Sequence, residues 1–266
     1  MPDRAIGVFD SGVGGLTVLK EIQRLLPGED LLYLGDTARV PYGTKSPATV
    51  RRYAMEAAAF LTRRRVKMLV VACNTASSVA LADLENQYKL PVIGVIEPGA
   101  KRAVSVTRSG RIGVIGTEGT IKSGAYTVAI KRLAPDADVV SIACPLFVPL
   151  VEEGWLNHPV THLTARAYLD NLRHLGIDTL VLGCTHYPLL KPVLQEVLGP
   201  EVILIDSAEE TAFTVAAMLG HCHRLRPSGE ICTAQFFVTD VPERFQRVGS
   251  EFLGCPLATV EQVALD

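Results

Sequence analysis

The chain has 266 residues, 48% of them hydrophobic and 20% charged, as expected for a soluble globular protein of one large or two small domains. Its net charge of −2 leaves no electrostatic footprint for nucleic acid or an anionic membrane surface. Apolar runs are short and broken by glycine or charge, so no membrane span is expected. The opening MPDRAIGVFD enters a strand pattern without the leader of a signal peptide, which makes a cytoplasmic protein the expectation.

Short β-branched runs alternate with longer helical patterns, which predicts parallel α/β units. In chain order, strands are expected near residues 5–9, 31–34, 68–72 and 92–95, with helices near 16–26, 47–65 and 77–87 between them. Strands near 112–115, 138–142, 179–182 and 202–205 follow, with helices near 120–133, 160–175, 188–198 and 208–219. A last strand is expected near 234–238. The basic run Arg63-Arg64-Arg65 falls late in a helix, where positive charge complements the helix dipole, so a solvated helix end is expected there.

The pattern repeats itself. Ile6-Gly7-Val8-Phe9 recurs as Ile112-Gly113-Val114-Ile115, and Leu69-Val70-Val71-Ala72-Cys73-Asn74-Thr75 recurs as Leu180-Val181-Leu182-Gly183-Cys184-Thr185-His186. Two similar units are therefore expected, with Ile96-Glu97-Pro98-Gly99 as the junction. Each contains a strand that ends in cysteine followed by a polar pair.

The first strand runs into Asp10-Ser11-Gly12-Val13-Gly14-Gly15, where small residues let backbone approach a ligand beyond the strand's carboxyl end. A dinucleotide reading competes, because Gly12-x-Gly14-x-x-Thr17 with Asp36 resembles that fingerprint. It places Thr17 where the third glycine belongs and Asp10 beside a pyrophosphate, and it explains neither cysteine.

Six cysteines are present, and none forms a Cys-x-x-Cys or a zinc-finger spacing. His221-Cys222-His223 comes nearest to a metal cluster, but adjacent helical residues point in different directions, so no metal is expected. Cys144, Cys222, Cys232 and Cys255 are read as small apolar filler. Cys73 and Cys184 are set apart by repeat position and flanks. Asn74-Thr75 is expected to cap one following helix and Pro188 to start the other, which puts both thiols near helix N-termini that favour thiolate. Units facing each other across a pseudo-two-fold axis would bring these thiols to opposite sides of one cleft. Inverting a stereocentre needs that arrangement, a base on one face and an acid on the other, and a thiol with an ordinary pKa of about 8.5 can serve as either.

At this point the chain resembles the glutamate racemase family. The matching segments are Phe9-Asp10-Ser11-Gly12-Val13-Gly14-Gly15-Leu16, Gly35-Asp36, Pro41-Tyr42-Gly43, Ala72-Cys73-Asn74-Thr75-Ala76, Leu182-Gly183-Cys184-Thr185-His186-Tyr187-Pro188 and Asp206-Ser207. The resemblance implies two similar parallel-sheet α/β domains with the active site in the cleft between them. Residues 1–97 plus 207–266 would form the first and 98–206 the second. It also implies cofactor-independent interconversion of L- and D-glutamate, with Cys73 deprotonating D-glutamate and Cys184 L-glutamate, without pyridoxal phosphate or metal. Asp10 would assist Cys73. His186 and Glu152 would assist Cys184, although neighbouring Glu153 could be the residue meant. Asp10, Ser11, Tyr42, Gly43, Asn74, Thr75, Thr185 and His186 would surround the substrate. A homodimer is implied, as is supply of D-glutamate for peptidoglycan and hence cell shape. With no long segment ahead of the first strand, activation by a nucleotide precursor, as in extended members, is not expected. A racemase of a related amino acid such as aspartate remains an alternative, as do a non-catalytic amino-acid-binding module and a thiol-redox protein.

Overall fold

The computed structural model describes residues 3–226, 233–257 and 259–265. Its first sheet begins with β1 (Ile6–Asp10), β2 (Leu31–Gly35), β3 (Met68–Val71) and β4 (Val92–Gly94). Residues of these strands are buried throughout, which is why they read as unbroken apolar runs rather than alternating ones. Helices α1 (Leu16–Leu25), α2 (Pro47–Arg63) and α3 (Asn74–Gln87) connect them. Ser46 caps α2 through its side chain and Pro47 opens it, where a missing N–H costs nothing. Past its end, Arg64 lies over the Phe60 ring at 3.6 Å, so the basic run is partly packed rather than wholly solvated.

The second sheet holds β5 (Arg111–Gly116), β6 (Asp138–Ala143), β7 (Thr179–Gly183) and β8 (Ile203–Asp206) in the order β6-β5-β7-β8. This matches the order β2-β1-β3-β4 in the first sheet, and each of these pairings is parallel. The registers match too. Gly7 pairs with Leu69, and Gly113 pairs with Leu180. The repeat is therefore structural as well as textual. At both glycines a side chain would press on the covering layer, Leu61 and Val66 over Gly7 and Ile177 over Gly113.

Several elements depart from the sequence reading. Ile96-Glu97-Pro98-Gly99 forms the first turn of α4 (Ile96–Val106) rather than an open junction, because proline is tolerated there. The helix expected near 120–133 is broken into α5 (Glu118–Ser123) and α6 (Ala125–Leu133) at Gly124, whose φ of +65° ends the first piece. A short α7 (Phe147–Glu152) precedes α8 (Pro159–His174). A 3-10 turn, Tyr187–Leu190, leads into α9 (Lys191–Leu198), so Pro188 opens that turn instead of an α-helix. Helix α10 (Ser207–His221) then packs against both α1 and α4.

The tail returns to the first sheet. Strand β9 (Ala234–Val238) pairs with β2, and β10 (Val260–Gln262) extends the edge beyond it, with α11 (Pro242–Leu253) between them. One buried core joins facing sides of both sheets through α1, α10 and α11, from Ile6 and Leu19 to Leu180 and Leu194. Separate clusters cover the outer face of each sheet. No helix among the described residues is long and apolar enough to cross a membrane.

Candidate active site

Cys73 follows β3 and Cys184 follows β7, so the matched strands deliver one thiol from each sheet. Both line a cavity of about 50 Å³ between the two units. Ser11, Tyr42, Gly43, Asn74, Thr75, Glu152, Thr185 and His186 line it as well. Asp10 alone among the predicted site residues does not. It is 1% exposed and lies beneath the loop, where its Oδ2 accepts from the Gly12 N–H at 2.9 Å.

The two thiols sit in unlike surroundings. Cys73 is itself the N-cap of α3, accepting from the Ala76 N–H at 3.5 Å, a role expected of Asn74 and Thr75. The Ser11 hydroxyl stands 3.7 Å from its Sγ. Burial, then the nearby Asp10 carboxylate, push its pKa up to about 12, against the helix end that was expected to favour thiolate. Burial wins there. Cys184 precedes only the 3-10 turn, so it has no α-helix directly behind it.

Instead, Cys184 Sγ lies 3.9 Å from His186 Nδ1, and His186 Nε2 lies 3.2 Å from Glu152 Oε1. Burial disfavours the imidazolium, but bonds to Cys184 and Glu152 outweigh it and raise the His186 pKa to about 10. Burial likewise acts against the Glu152 carboxylate, yet His186 and Arg244 hold its pKa below the usual value. Glu153 is exposed and does not line the cavity, so Glu152 is the glutamate the site receives.

Contacts across the units define the cavity's shape. A side chain on Gly14 would collide with Thr185 and approach His186 Nδ1 to 2.5 Å, so only glycine lets the first loop meet the second unit here. Thr17 donates to the Thr185 carbonyl at 3.1 Å, which accounts for threonine where a dinucleotide fingerprint needs glycine. Asp36 is fully buried and accepts from Arg39, Thr239 and the Tyr42 hydroxyl, the last at 2.5 Å, leaving it unsuited to a ribose. From the second unit, Tyr126 donates to Asn74 Oδ1 at 2.7 Å. The amide Nδ2 of Asn74 and Oδ1 of Asp10 are buried without hydrogen-bond partners among the described residues.

Residues not expected from the sequence also line the cavity, among them Thr117, Val148, Val40 and Pro41. Thr117 follows β5 as Ser11 follows β1, so extending the repeat two residues past Ile115 would have found it. The Thr117, Thr75 and Thr120 hydroxyls lie 2.9–3.2 Å from one another and join the units.

Of the remaining cysteines, Cys144 is buried filler as expected, whereas Cys222 and Cys255 are exposed, against expectation. Both lie just beyond the ends of helices, where the chain meets solvent. Cys232 lies outside the described residues. Among the described residues no group of three or more histidine, cysteine or acidic side chains is placed to hold a metal.

Residues 6–214 match the Asp/Glu/Hydantoin racemase family model. A glutamate racemase of Geobacter metallireducens is 64% identical over 100% of this chain and 98% of its own length. The chain belongs to the glutamate racemase family. A crystal structure of a family member, a Bacillus anthracis isoform, superposes with a TM-score of 0.96 at 42% identity, covering 100% of this chain and 99% of that one. A glutamate racemase of Francisella tularensis in complex with D-glutamate gives 0.94 at 38% identity, with the same coverage. Family membership agrees with the two parallel sheets.

Proposed function

We propose that this chain interconverts L- and D-glutamate by two opposed thiols and without a cofactor. The observation that carries the reading is that Cys73 and Cys184 end matched strands of the two sheets and line one cavity. With L-glutamate, a Cys184 thiolate takes the α-proton. The C–H bond breaks, an S–H bond forms, and the electron pair stays on the α-carbon as a carboxylate-stabilised carbanion. The Cys73 thiol then delivers its own proton to the opposite face, leaving Cys73 as thiolate. The reverse direction exchanges the roles.

The surroundings suit this division. The raised pKa holds Cys73 as a thiol, and a His186 imidazolium can hydrogen-bond a Cys184 thiolate. Asn74 Nδ2 and the hydroxyls of Ser11, Thr75 and Thr185 are donors suited to carboxylates, with the Gly43 backbone beside them. Asp10 lies beneath the Cys73 side without lining the cavity, and burial raises its own pKa, so it acts on Cys73 from behind the loop. Preorganised donors lining the cavity stabilise the carbanion more than freely reorienting water would.

Sheet membership supports domains of 1–97 plus 207–266 and 98–206, since β9 and β10 complete the first sheet. A cytoplasmic homodimer that supplies D-glutamate for peptidoglycan belongs to the same reading. A chiral assay of the purified chain with glutamate and with aspartate, no cofactor added, tests it. Racemisation confined to aspartate, or saturable binding without racemisation, contradicts it.

A further inference from the structure

Helix α11 belongs to the first sheet's side of the molecule by connection, yet it touches the Cys184 side of the cavity at two points. Near its start, Arg244 Nη2 lies 3.1 Å from Glu152 Oε2. At its far end, the Phe252 ring packs edge-on against His186 with centroids 5.3 Å apart. Glu152 is thus held by both oxygens, Oε1 on His186 and Oε2 on Arg244. A carboxylate held by one oxygen alone can rotate about its terminal torsion, whose wells are broad. Gripped at both, it presents a fixed acceptor to the imidazole. No comparable chain reaches Cys73 among the described residues; its hydrogen bonds there are to Ser11 and Ala76.

We propose that Arg244 is a positioning residue for proton transfer at Cys184, acting through Glu152 and His186, whereas α11 meets the Cys73 half through the packing of Phe245 on Tyr33, whose hydroxyl donates to the Gly12 carbonyl. This rests on the racemase reading above. It makes a prediction that simple loss of stability does not. In water the two enantiomers have equal free energy, so kcat/KM must be equal in the two directions for any variant. A defect at one thiol therefore shows in which proton abstraction limits the rate.

The test uses the full chain with α-deuterated L- and D-glutamate. R244Q and R244A should lower kcat/KM roughly twofold to fivefold, as befits a half-exposed ion pair. The primary isotope effect on kcat/KM should rise for L-glutamate and fall for D-glutamate. R244K, which keeps the charge, should recover part of the loss, and R247A, on the exposed face of the same helix, should change neither quantity. A wild-type chain that racemises glutamate, with isotope effects that R244Q and R244A leave unchanged or raise equally for both enantiomers, overturns the role of Arg244 alone. A wild-type chain that does not racemise glutamate overturns the racemase reading, and this proposal with it.

Discussion

Cys73 and Cys184 occupy matched positions but differ in what surrounds their sulfurs: buried neutral groups and a carboxylate for one, an imidazole–carboxylate chain for the other. Replacing either by serine substitutes a far weaker acid and base at one face of the substrate. C73S and C184S should each slow racemisation by roughly 10²–10⁴-fold, read in a chiral assay, while melting close to the wild type. His186 carries a second prediction. Its pKa rises from 6.5 to about 10 on folding, so the stabilisation it contributes is complete below pH 6.5 and fades as pH climbs through 10. The difference in melting temperature between wild type and H186N should therefore be largest near pH 6 and shrink toward pH 10. A constant difference would show that folding leaves the histidine's pKa unshifted. At this scale the cysteines and their flanking polar residues were legible, because adjacent residues carried the repeat. Arg244 was not, since its partner Glu152 stands 92 positions away and a surface arginine has no local pattern.

Among the elements, the loop between β1 and α1 constrains the site most tightly. Gly14 allows contact with Thr185 and His186 that any side chain would prevent. G14A should destabilise the protein by roughly 1–3 kcal/mol through overpacking and should lose most of its activity, checked by denaturant unfolding and by the chiral assay. Wild-type stability and activity in that variant would mean the two units do not close as described. The alternation of strand and helix was readable because buried parallel strands are apolar throughout and the covering helices are long. Short α7 and the Gly124 break were missed, since a six-residue helix gives too little periodicity to see. Strand β10 was missed because three residues held by β9 carry no readable period, whereas α11, also missed, was legible in Pro242 at its start and in Phe245, Val248 and Phe252 on one face.

At the scale of the whole molecule, four strands of each sheet follow the same order, one core joins the sheets, and the cavity that holds both thiols lies between them. A ligand that bridges the units binds the folded state alone and must stabilise it by mass action. Glutamate at about one hundred times its Kd should add about 2.7 kcal/mol to the unfolding free energy, visible as a raised melting temperature. The repeat made this architecture readable in the strands, while the return of the tail to the first sheet came only from family resemblance. The central claim is that two different thiols serve the two faces of the α-carbon, and turnover in heavy water tests it most directly. Early in the reaction, from either enantiomer, the product should carry one solvent deuterium at the α-carbon while recovered substrate keeps its protium. Product that retains the original proton, or deuterium entering substrate and product equally from the start, would contradict it.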